Sequence, residues 1–73
     1  PVTNIKFSIT KSGTVKLAVY DITGKEVMIL VNGNLGAGTY NAELDASKLA
    51  SGVYLYSLET DDFSGTKKMV VVK

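Results

Sequence analysis

Apolar and polar residues alternate with a period of two along most of this 73-residue chain. Ile5, Phe7 and Ile9 fall on one side of a run whose other side carries Lys6 and Ser8, the pattern of a half-buried strand. Val15, Leu17 and Val19 repeat it against Lys16 and Ala18, and Lys11-Ser12-Gly13 supplies turn chemistry between the two runs. Asp21-Ile22-Thr23-Gly24 predicts a hairpin, because Asp at the first position accepts from backbone groups ahead of it and Gly at the fourth tolerates positive φ. Val27 to Val31 is apolar at nearly every position, which predicts a strand that is central in a sheet or covered on both faces. Asn32 to Gly38 holds three of the seven glycines and predicts a flexible connection.

Tyr40, Ala42 and Leu44 alternate with Asn41 and Glu43 as a further strand with one wet face. Asp45 or Ser47 can cap a short helical turn through Leu49, with Gly52 free to end it in the left-handed conformation. Beyond Gly52, the polar residues Ser57 and Glu59 mark one side of the next strand as wet, which turns Tyr54, Tyr56 and Leu58 inward. Asp61 to Gly65 reads as a hairpin loop and Thr66 to Lys73 as the last strand. Strands this short, separated by turns, predict an all-β, immunoglobulin-like antiparallel sandwich of six or seven strands. No connection is long enough for a parallel crossover helix. We expect residues 1–73 to form one C-terminal domain, a fragment of a larger secreted protein, since the chain opens at Pro1 and not at Met.

Composition narrows the functional classes. Eight lysines against seven acids leave a formal charge of +1, which gives no general pull toward nucleic acid, and no apolar run reaches the roughly 20 residues that span a bilayer. Histidine, cysteine and tryptophan are all missing, which removes the commonest general base and the commonest nitrogen and thiolate metal ligands. Asp61 and Asp62 are adjacent in a loop, whereas paired catalytic acids stand opposite one another with one shifted by burial. Glu43, Asp45, Asp61 and Asp62 offer oxygen ligands for Ca²⁺ but lack the D-x-D-x-D-G spacing, and no helix follows Gly33, Gly36 and Gly38 to hold a phosphate. No catalytic, cofactor-binding or metal residue is assigned, and no cofactor is implied.

Tyr20, Tyr40, Tyr54 and Tyr56 offer either an aromatic platform for a ligand or core packing. For Tyr54, two residues after Gly52, the favoured reading is a tyrosine corner, with the ring inside and the hydroxyl tied to the backbone. The last strand, Thr66-Lys67-Lys68-Met69-Val70-Val71-Val72-Lys73, sets two lysines before four apolar residues. Lysines discourage edge pairing, yet a terminal strand is held by one covalent connection and can be presented to a partner strand.

The ordered set Ile5-Lys6-Phe7, Val15-Lys16-Leu17-Ala18-Val19-Tyr20-Asp21, Gly24-Lys25-Glu26-Val27, Gly38-Thr39-Tyr40, Leu49-Ala50-Ser51-Gly52-Val53-Tyr54 and Lys67 to Lys73 resembles the type A C-terminal sorting domain of the Bacteroidetes type IX secretion system. The chain departs from that pattern at Leu44, where the family often has Trp, and at Lys25, where it often has Arg. The resemblance implies a non-catalytic signal covalently linked to an upstream cargo. Its partners would be the outer-membrane export apparatus and a sortase-like peptidase, with passage through the periplasm to the cell surface or beyond. It ties recognition to Lys67, Lys68, Met69, Val70, Val71, Val72 and Lys73, and leaves Asp21, Gly24, Gly52 and Tyr54 as structural residues. The alternative is a cell-surface adhesion or carbohydrate-binding module, which predicts exposed tyrosines gathered on one face.

Overall fold

A computed structural model describes residues 2–72. Six strands follow one another: β1 (Val2–Ile9), β2 (Gly13–Asp21), β3 (Glu26–Leu35), β4 (Gly38–Asp45), β5 (Gly52–Thr60) and β6 (Ser64–Val71). They form two antiparallel sheets, β1-β4 and β3-β2-β5-β6, so the expected all-β sandwich is the fold of this chain. One 3₁₀ turn, Ala46–Lys48, connects β4 to β5.

The core is what the alternation prescribes. Ile5, Phe7 and Ile9 of β1 and Ala42 and Leu44 of β4 pack against Val15, Leu17 and Val19 of β2 and Tyr54 of β5. Val15, Leu17, Val19 and Leu44 are sealed from solvent almost completely. Leu44 is thus a packing position.

The turn after β2 is built by one carboxylate. Asp21 Oδ1 accepts from the Thr23 hydroxyl, the Thr23 N–H and the Lys25 N–H, while Gly24 donates its N–H to the Asp21 carbonyl and takes φ +91°. The Thr23 hydroxyl, and then the Lys25 N–H, hold the Asp21 carboxyl below its ordinary pKa. A folded pKa below the unfolded one contributes stability that is complete above about pH 5 and is lost as pH falls through the folded value. Asp21→Asn keeps an acceptor oxygen but no charge, so it should flatten the fall of melting temperature on acidification below about pH 4, relative to the parent chain. Thermal melts at stepped pH check this; an unchanged slope would place the acid sensitivity elsewhere. Asp45 is lowered in the same way by the Ser47 hydroxyl and N–H as it caps the 3₁₀ turn.

Three local readings are corrected. Val27 to Val31 lies in β3, an edge strand that among the described residues pairs only with β2, and Val27 and Ile29 are exposed. Asn32 to Leu35 is not a flexible connection but the continuation of β3, because Gly13, Thr14, Val15 and Lys16 of β2 offer it a full set of partners. The 3₁₀ turn closes at Leu49, in extended conformation, so Gly52 does not end it; Gly52 at φ +158° instead opens β5 opposite Val71.

Candidate functional site

Lys67 to Val72 is placed by a chain of dependence that begins at Tyr54. The Tyr54 hydroxyl donates to the Ala50 carbonyl at 2.8 Å, four residues back across the corner, while its ring lies in the core. This is the tyrosine corner that the Gly52-Val53-Tyr54 spacing predicts. It pins the start of β5, and β5 is the strand to which β6 is paired. Tyr54→Phe should cost about 1 kcal/mol, the net value of one part-buried hydrogen bond, with the ring packing kept. A denaturant titration would read this as a lower midpoint at constant slope.

A second corner escaped the sequence reading. The Tyr40 hydroxyl donates to the Gly36 carbonyl, again four residues back and again two residues after a glycine, Gly38. Gly38 and Gly52 share a backbone that side chains rarely adopt, φ +152° and +158°. The signal was present: Gly38-Thr39-Tyr40 matches Gly52-Val53-Tyr54 residue for residue in spacing. The tyrosines therefore do not gather on one exposed face. Tyr54 is buried, Tyr40 and Tyr56 pack against the core, and Tyr20 sits on the opposite face of the larger sheet.

Register decides which way each β6 residue points. Lys67 stands opposite Tyr56, Met69 opposite Tyr54 and Val71 opposite Gly52, so these three face the other sheet. Thr66, Lys68 and Val70 face away. The apolar run is thus divided: Val71 is 7% exposed and anchors the strand, whereas Val70 is 61% and Val72 79% exposed. Lys67 and Lys68 are both exposed, on opposite faces. Lys73 lies outside the described residues. Nothing beyond β5 pairs with β6 among the described residues, so its outer backbone edge is open.

Carboxylates show no comparable convergence. Among the described residues no three acids come close enough to hold a metal ion, and the Asp21 and Asp45 carboxylates are already engaged in their turns. The ion pair among the described residues is Lys16–Glu26 at 3.0 Å, on the surface.

A family described as the secretion system C-terminal sorting domain matches residues 1–72. The chain belongs to this family. No curated protein and no solved structure gives a match to this sorting domain. Lys25 contributes its backbone N–H to the Asp21 turn, and its charge also favours the Asp21 carboxylate.

Proposed function

We propose that this sorting domain is a non-catalytic, C-terminal signal that directs a covalently linked upstream cargo through the type IX outer-membrane apparatus. A sortase-like peptidase then removes the signal. The cargo would reach the apparatus from the periplasm and finish at the cell surface or in the medium. Lys67, Lys68, Met69, Val70, Val71, Val72 and Lys73 carry the recognition, while Asp21, Gly24, Gly52 and Tyr54 hold the frame that presents them.

One observation carries this reading beyond family membership. A strand that served the core alone would turn its apolar residues inward, yet Val70 in β6 and Val72 just after it stand in solvent near two exposed lysines that make no ion pair among the described residues. A folded reporter fused ahead of Pro1 should leave a host that carries the apparatus and remain in the periplasm of the same host lacking it. Removing residues 67–73 should strand the reporter inside, and secretion unchanged by that truncation would take the signal away from β6. A shorter secreted reporter in a host with the peptidase, and a full-length fusion in its absence, would report the cleavage step.

A further inference from the structure

The two sheets do not match in width. β4 runs beside β3, which leaves β1 on the β6 side of the sandwich and the core-facing side of β6 only partly covered. Between β1 and β6 lies an open groove of about 310 Å³, whose floor is Leu17, Tyr56 and Leu58. A second depression beside Ile9 and Thr10 adjoins it at Ser8 and Phe63, and a separate one lies between Thr3 and Met69. The groove itself runs beside Ile5 to Ser8 of β1, about 13 Å at roughly 3.3 Å per residue.

Its walls are backbone. Ile5, Lys6, Phe7 and Ser8 all line it, as do Gly65, Thr66 and Lys67. Consecutive residues of a strand send their side chains to opposite faces, so runs like these can border one groove only along the strand's hydrogen-bonding edge. β1 pairs with β4 on its other edge, and among the described residues this edge has no partner strand. An apolar floor left half-covered beside an unpaired edge is the acceptor geometry of strand addition.

The geometry points to an interaction site for one extended peptide strand of a partner, added to the free edge of β1 as a third strand of the small sheet, with a carboxylate side chain set against Lys67. The open edge of β6 borders the same groove, but the Lys67-Lys68 pair discourages pairing there, which leaves β1 as the acceptor edge. Addition to β1 covers Tyr56, Leu58 and Met69, which are only half-buried. The acid follows from charge: Lys67 points into the groove from the core-facing side of β6, Lys6 borders it, and neither makes an ion pair among the described residues. At the hairpin end Lys11 and Asp62 offset one another, which leaves the middle of the groove positive. This inference goes beyond the export reading and stands without it.

The probe is an eight-residue peptide, acetylated and amidated, in which threonine alternates with three valines and one central glutamate. Titrated into the isotope-labelled chain, it should shift and protect from exchange the amides of β1 and shift the side-chain signals of Tyr56, Leu58 and Met69. Exchanging its glutamate for lysine should weaken binding roughly fivefold or more, Lys67→Glu in the chain should reverse that preference, and a central proline should abolish binding. Absence of binding at millimolar peptide, shifts confined to β6 or to the outer face, or indifference to the charge exchange would each overturn the site. Dimerisation of the chain by sedimentation, with the same β1 shifts in the absence of peptide, would overturn the partner strand in favour of a second copy.

Discussion

Leu17→Ala should lower the melting temperature of the domain by roughly 12–24 °C. Leu17 is 1% exposed at the centre of β2, opposite Val31 on one neighbour and Leu58 on the other. Truncating a buried leucine costs the lost transfer energy and a cavity that rigid strands refill poorly, about 3 kcal/mol in the middle of the observed range. A domain of this length holds only about 4–11 kcal/mol in total, and each kcal/mol displaces the midpoint by about 4–8 °C. Calorimetry at neutral pH reads the shift. A fall below about 5 °C would mean that the strands close over the missing methyls, contrary to the close-packed core seen here.

The second large effect separates the fold of β6 from the recognition proposed for it. Val71→Ala should cost about 2 kcal/mol, because Val71 is buried against the opposite sheet. Val70→Ser with Val72→Ser should leave the melting temperature nearly unchanged, since both side chains stand in solvent. Export should rank the variants the other way. The outward double substitution should cut secretion of a fused reporter about tenfold, the equivalent of roughly 1.4 kcal/mol of lost recognition. Val71→Ala should reduce secretion only as far as it unfolds the domain, which growth below the melting temperature would restore. Pairing melting curves with reporter secretion makes the comparison; normal export of the outward variant would confine the signal to the lysines or the buried face.

Where a strand's identity depends on its own side chains, the sequence was readable. Ile5, Phe7 and Ile9 declare a buried face because polar Lys6 and Ser8 separate them, and Val15, Leu17 and Val19 repeat the period even though Ala18 between them is buried as well. The turn at Asp21 and the corner at Tyr54 were equally local, set by a short-range acceptor and a glycine two residues away. β3 failed because its position is decided by β2. An apolar run from Val27 to Val31 says that a strand exists and not which edge it occupies, and Asn32-Gly33-Asn34 forms strand only through the partners at Thr14 to Lys16. For the terminal strand the location was legible and the division was not. That Lys67 faces the groove while Val70 faces water follows from pairing with Tyr56 and Val53, a long-range fact that composition does not carry.

The pairing of β2 with β3 skips twice, once between Leu17 and Ala18 and once between Val19 and Tyr20, leaving Leu30 and Val27 as extra residues on β3. Such bulges sharpen the local twist and break the even spacing of the free backbone groups on the far side. An edge that carries Val27 and Ile29 in solvent is otherwise a template for stacking one copy on the next. The two skips therefore blunt the β3 edge against a second copy, while β6, which runs in unbroken register with β5, keeps an evenly spaced edge.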